Sequence, residues 1–227
     1  MKHTPIGLSR RFRNLRHELF FRLAASHQSG LITLGGDYPW TLDPTGMNST
    51  SVVVSAGVGR DIQFEHALAN RFNCHIVLLD PSPTGATTMR LPENQRPDFT
   101  YLPVGLAAES GPKEFGDPDN PDEGSFVMSR GSTTHSFPCT DLPSLMRERG
   151  LNHIDFLKLD IEGFEYGVLD ALIRKRIPVR QIGVEFHHWA GGGPTRWTTI
   201  RTILRLRACG YRLIHRYGWD LTFLRSA

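Results

Sequence analysis

The chain has 227 residues, 39% of them hydrophobic and 22% charged, which suits one soluble α/β domain able to bury a sizeable core. A formal net charge of +3 is too small for the electrostatic footprint of a nucleic-acid binder. Cys74, Cys139 and Cys209 are far apart and lack zinc spacing, so neither a disulfide framework nor a zinc module is expected, and the expected compartment is a reducing cytoplasm. No apolar stretch reaches membrane-spanning length, and the first thirty residues lack a signal core and cleavage site.

Leu8, Phe12, Leu15, Leu19 and Leu23 recur at steps of three and four with arginines between them, which predicts an amphipathic helix over 8–25. Residues 1–35 therefore read as a helical lead-in and 36–227 as the main domain. Arginines crowd both ends of the chain. Solvated helix faces explain them, and a membrane surface contacted through the N-terminal helix is an alternative that is not favoured. Residues 35–50, rich in Gly, Pro, Asp and Asn, read as a loop.

From residue 51 the pattern is regular. SVVVSAG is a strand, DIQFEHALANRF a helix, HIVLLD a strand and PSPTGATTMR a turn with a helix. FTYLPVGLAA holds one or two strands, and 111–125 reads as an exposed polar excursion. DLPSLMRERG is a helix stopped by Gly150, HIDFLKLD a strand, FEYGVLDALIRKR a helix closed by Pro178, and VRQIGVEFHH a strand. PTRWTTIRTILRLRACG is a helix ending at Gly210, and YRLIHRYGWDLTFLR is a terminal hairpin around Gly218. Strand–helix alternation with a closing hairpin predicts an α/β fold with a mostly parallel sheet covered on both faces. Ligands of such sheets bind beyond the carboxyl ends of the strands, so strand-end residues are the candidates.

Four strand ends carry chemistry. SAGVGRD (55–61) places Gly57 and Gly59 in a tight turn before a helix start, as a ligand cradle or as a plain turn. It lacks the third glycine of the dinucleotide fingerprint, since Ile62 stands there. Asp80 ends the next strand, where a carboxylate accepts from ribose hydroxyls or caps the following helix. In LKLDIEG (157–163), alternation sends Asp160 and Glu162 to one side, with Lys158 of the same parity available to pair with either acid. Two acids at one strand end repel unless a polar ligand or cation lies between them. In VEFHHW (184–189), Glu185 and His187 share a face and form a candidate general-base unit, while His188 points the other way.

Taken in order, GVGRDIQFE, LLDPSP, IDFLKLDIEGFEYGVLDAL and IGVEFHH resemble the FkbM-type S-adenosylmethionine-dependent methyltransferases. The likeness runs from about residue 36 to 225, with KLDIEGFEYGVL its most specific part, and GGDYPW resembles a bacterial branch of the family. It implies a Rossmann-like class I methyltransferase fold: a seven-stranded, mostly parallel sheet with a terminal antiparallel hairpin in three α/β/α layers. It implies S-adenosylmethionine as cofactor, with Gly57 and Gly59 along its methionine moiety, Asp80 on its ribose, and Asp160 and Glu162 between cofactor and acceptor. Ser55 stands where the family motif begins with an acid, and Asp61 is the candidate to take over that acid's task of holding the cofactor's ammonium.

The expected reaction is O-methylation of a hydroxyl on a small molecule or a sugar precursor, with His187 as base oriented by Glu185 and with Asp160 steering the acceptor or the sulfonium. No metal is assigned. A divalent cation held by Asp160, Glu162 and His187 is the second arrangement. The rival readings are a cofactor-binding scaffold without activity and a nicotinamide-dependent oxidoreductase. The missing third glycine and the LKLDIEG acids disfavour the oxidoreductase. Glycines 191–193 are a candidate lid hinge.

Overall fold

The computed structural model describes Phe21 and residues 24–117, 126–128, 134–188 and 194–226. Almost all of the predicted helix over 8–25, residues 118–125 of the excursion and the glycines at 191–193 lie outside the described residues.

Most of the molecule is built on a seven-stranded sheet. Its parallel part runs, in spatial order, through β5 (Phe99–Leu102), β4 (His75–Leu79), β3 (Val52–Ala56), β10 (Ile154–Leu159) and β11 (Val179–Glu185). The hairpin of β12 (Tyr211–Tyr217) and β13 (Asp220–Arg225) completes it. β13 lies antiparallel between β11 and β12, so the sheet is mixed.

Alternation along these strands feeds two cores. Val54, Val77, Leu157 and Ile182 face α3 (Leu142–Arg149), α4 (Glu165–Lys175) and α5 (Arg196–Ala208) through Leu145, Leu169 and Ile203. Val53, Ile76, Leu78 and Phe156 face α1 (Gln63–Phe72) and α2 (Pro83–Met89) through Phe64, Leu68 and Met89. The helix ends follow from their residues. Ser82 and Asp141 accept from the amides of Gly85 and Ser144, with proline in each first turn, and Thr195 and Thr198 form a capping box. Gly150 closes α3 in the left-handed conformation.

Two smaller sheets depart from the expectation. Residues 35–50 are not simply a loop: β2 (Trp40–Leu42) is buried and pairs antiparallel with β1 (Ile32–Leu34). This ribbon supplies part of the layer that holds α1. Trp40 packs against Gly183, Thr222 Oγ1 donates to Thr41 O, and Gln181 closes both polar groups of the Asp43 backbone, accepting from its N–H and donating to its C=O at 2.9 Å. The excursion at 111–125 is also structured where it is described. β7 (Gly111–Gly116) pairs with β9 (His135–Thr140) and β8 (Val127–Met128), and β6 (Gly105–Leu106) joins β9 to complete a four-stranded sheet. Polar alternation hid it, because Phe115 buries its ring against Phe137 and Phe164 while Lys113 and Glu114 keep their neighbours wet. Among the described residues no helix is long and apolar enough to cross a membrane.

Candidate active site

The carboxyl ends of β3, β4, β10 and β11 open onto one cavity of about 550 Å³, within the usual range for small-molecule sites. Gly57, Gly59, Asp61, Asp80, Asp160, Glu162, Glu185 and His187 all line it. Of the residues singled out in the sequence, Ser55 is the one that does not. Its hydroxyl turns inward and donates to Glu65 Oε1 at 2.5 Å.

The two glycines of the turn differ. Gly57 has φ +93, and a Cβ there would sit 1.9 Å from the carbonyl oxygen of Asp160, so the backbones at the ends of β3 and β10 meet only because Gly57 has no side chain. Gly59 has φ +55 and nothing within 4 Å of its absent Cβ, and it lines the cavity with its backbone bare. Asp80 ties the turn down: Oδ2 accepts from Val58 N at 2.9 Å and Gly59 N at 3.0 Å, and Oδ1 accepts from Ser82 N at 2.8 Å. Asp80 thereby joins the β3 turn to the start of α2. Asp61 accepts from Gln63 N at 2.7 Å, which steadies the first turn of α1.

Asp160 and Glu162 share a side for a reason other than strand alternation. β10 stops at Leu159, and the chain turns with Glu162 at φ 52 and Gly163 at φ 107. That turn carries both carboxylates to His187, whose Nε2 stands 3.9 Å from Asp160 Oδ1, 3.5 Å from Glu162 Oε2 and 3.7 Å from Glu185 Oε1. Glu185 is therefore not the residue that orients the imidazole. His187 Nδ1 bonds at 2.8 Å to Oε1 of Glu165, a fully buried carboxylate in the first turn of α4 that also accepts from Ile161 N and Gly163 N. Sequence reasoning missed Glu165. Its signal was an acid in the first turn of a helix that directly follows a glycine turn.

These contacts set the protonation states. Burial works against an imidazolium at His187, but the hydrogen bond and charge of Glu165, with Glu162 and Asp160, outweigh it and raise the pKa to about 10. Burial, reinforced by Asp160 and only partly relieved by His187, pushes the Glu185 carboxyl up to about 8. Asp220, paired in register with Glu185, is lifted by burial and by Asp160 to about 6. These contacts favour the imidazolium form of His187, with Nδ1–H donated to Glu165.

Lys158 pairs with neither strand-end acid. Its ammonium donates to Gly57 O at 3.0 Å and to Glu65 Oε1 at 3.2 Å. Asp160, Glu185 and His187 bring one ligand atom each within 4.8 Å of one another, a donor set suited to a divalent cation.

Fold and site together define an α/β protein whose cavity sets a glycine turn opposite an acidic cluster gathered around one histidine. The family model of the FkbM methyltransferase domain matches residues 46–213, and the chain belongs to that family. No curated protein matches the chain. Among solved structures it is similar to monomeric WbdD (12% identity, TM-score 0.42), covering 98% of this chain but 42% of that one. It is also similar to the N-methyltransferase NodS from Bradyrhizobium japonicum WM9 (11% identity, TM-score 0.36, 94% of each chain). A third is a mutant of the 16S rRNA (adenine(1408)-N(1))-methyltransferase from Catenulisporales acidiphilia (18% identity, TM-score 0.36, 86% of this chain and 95% of that one). At these scores the likenesses carry no argument about chemistry.

Proposed function

We propose that the protein is an S-adenosylmethionine-dependent O-methyltransferase of class I architecture, acting on a hydroxyl of a small molecule or carbohydrate precursor in the cytoplasm. The observation that carries this reading is the meeting of Glu185 Oε1 with His187 Nε2 at 3.7 Å on the wall of the cavity, opposite the glycine turn.

The cavity fits the cofactor. Gly59 offers a bare backbone, Glu65 brings a buried carboxylate oxygen without a hydrogen-bond partner to the lining, and one lone pair of Asp80 Oδ1 remains for a ribose hydroxyl. When bound, S-adenosylmethionine supplies an electrophilic methyl group on a sulfonium. The chain's own residues do the rest. Asp160 and Glu162 hold the acceptor in line, and alignment of this kind supplies several kcal/mol. Glu185 takes the hydroxyl proton onto its carboxylate, a transfer typically worth about 10²–10⁴-fold. His187 stays cationic under the grip of Glu165 and stabilises Glu185 in its ionised form. Phe115, Phe126 and Phe164 wall the cavity and exclude water.

Glu185→Gln is the test. Turnover should fall about 10²–10⁴-fold with affinity for S-adenosylhomocysteine unchanged. In the wild type, kcat/KM should rise with pH through about 8. Near-wild-type turnover of the variant would remove Glu185 from the chemistry.

A second arrangement is favoured by the donor set of Asp160, Glu185 and His187, in which a divalent cation orients a diol acceptor and His187 gives up its proton on binding it. Unchanged activity after exhaustive chelation rules this arrangement out.

A further inference from the structure

Ser55, Glu65 and Lys158 form a buried polar group at the floor of the cavity that the methyl-transfer chemistry does not use. Glu65 projects from α1 and is 1% exposed; Lys158, on β10, is 4% exposed. Both line the cavity. They form an ion pair at 3.2 Å, with Ser55 Oγ–H donating to the same carboxylate oxygen.

The pair is incompletely satisfied. Glu65 Oε2 has no hydrogen-bond partner. Lys158 carries three N–H donors, and the hydrogen bonds of its ammonium account for two, to Gly57 O and Glu65 Oε1. A buried carboxylate oxygen with no partner is costly, and so is a buried ammonium proton. Burial works against the charge on Lys158, but the charges of Glu65 and Asp160 outweigh it and raise its pKa. What remains at the cavity lining is one anionic acceptor, Glu65 Oε2, beside the Lys158 ammonium, which also lies 5.6 Å from the centroid of the Trp40 ring. That arrangement is complementary to a zwitterion: an α-ammonium against Glu65 Oε2 and an α-carboxylate against Lys158 Nζ.

We propose that the Glu65–Lys158 ion pair, steadied by Ser55, is the subsite that holds the amino-acid end of S-adenosylmethionine. This rests on the cofactor assignment made above. It gives the acid missing from the first strand a replacement on α1: Glu65, delivered through the helix to the hydroxyl of the serine that stands in that acid's place. Asp61, by contrast, holds the exposed start of α1, accepting from Gln63 N at 2.7 Å and Gln63 Nε2 at 3.3 Å.

Removing one charge of a buried pair strands the other, so the pair is replaced together, as Glu65→Gln with Lys158→Met. Isothermal titration calorimetry is run on wild type and double variant with S-adenosylhomocysteine and with 5′-methylthioadenosine, which keeps the nucleoside and thioether but lacks both charged groups. The wild type should prefer S-adenosylhomocysteine by about 10–100-fold, as expected for charge-assisted hydrogen bonds, and the double variant should bind the two ligands alike. Equal affinity of the wild type for both, or a preference retained by the double variant, overturns the subsite while leaving the cofactor assignment standing. Binding of neither ligand by the wild type overturns the cofactor assignment and the subsite with it. A second measurement needs only the wild type. Analogues of S-adenosylhomocysteine lacking the amino group alone, or the carboxylate alone, should each bind about 10-fold or more weakly. Full affinity for either analogue overturns the half of the subsite it lacks.

Discussion

Replacing Gly57 by alanine separates two uses of glycine in one turn. Two costs follow from the geometry. A side chain at φ +93 is strained by about 1–3 kcal/mol. The new Cβ would also lie 1.9 Å from Asp160 O, a backbone atom fixed in the sheet beside it, so the ends of β3 and β10 must part, at a typical overpacking cost of about 1–3 kcal/mol. The sum is about 2–6 kcal/mol, or a fall in Tm of about 4–24 °C for a domain of this size. Gly59→Ala meets only the first kind of cost, about 1–2 kcal/mol, because nothing lies within 4 Å of its Cβ. Gly59→Ala should instead lose affinity for S-adenosylhomocysteine, since its methyl group enters the face left open to the ligand. Differential scanning calorimetry on both variants, with ligand titration beside it, reads the difference. Equal melting temperatures for the two, or a Gly57→Ala variant as stable as the wild type, would refute the close approach inferred between β3 and β10.

Other outcomes follow from the polar contacts. Glu165→Ala strands the amides of Ile161 and Gly163 and a buried imidazolium, so urea denaturation should show a loss of about 3–5 kcal/mol. Glu165→Gln should keep the fold better and lower the His187 pKa seen by NMR. Gln181→Met leaves the N–H and C=O of Asp43 unpaired, which should cost about 2–4 kcal/mol and remove hydrogen-exchange protection at Asp43. Asp220, Glu185 and His187 all titrate higher in the fold than their ordinary values of 3.8, 4.5 and 6.5. Through these three groups the folded ligand-free protein binds more protons than the unfolded chain, opposed near neutral pH by His215, whose pKa burial lowers. The stability these groups contribute is complete below their ordinary values and is lost as pH climbs through about 6, 8 and 10 in turn. Tm should fall between pH 5 and pH 10, and Glu185→Gln should remove the middle step; a Tm that rises over this range contradicts the charge assignment.

Much of the site was legible because it is written locally. A β-branched run ending in Gly-x-Gly, a strand ending in Asp-Pro, and a strand running into Asp-x-Glu-Gly each mark a strand end within a few residues, and alternating elements bring such ends to one side of a sheet. What stayed hidden depends on contacts across the sequence. Lys158 meets Glu65 from 93 positions away, and His187 meets Glu165 from 22. Parity along a strand could offer Lys158 only Asp160 or Glu162, because it does not report what a neighbouring helix delivers. Trp40–Leu42 was obscured by the glycines and prolines that bend the chain on either side of it. Asp160 and Glu162 were assigned to one side correctly in outcome and wrongly in cause: a left-handed Glu162, not a continuing strand, aims them.

The position of β13 constrains how the protein is made. β12 is synthesised first, yet among the described residues its partner in the seven-stranded sheet is β13, which inserts between it and β11. A ribosome that has released residues up to Tyr217 therefore holds a chain with an unpaired edge at β11 and a β12 without a neighbour in the sheet. Asp220, at the head of the inserting strand, reaches its place beside Glu185 in the same event. The electrostatic setting of the proposed base and the closure of the sheet are thus completed together, and a nascent chain short of that strand has neither.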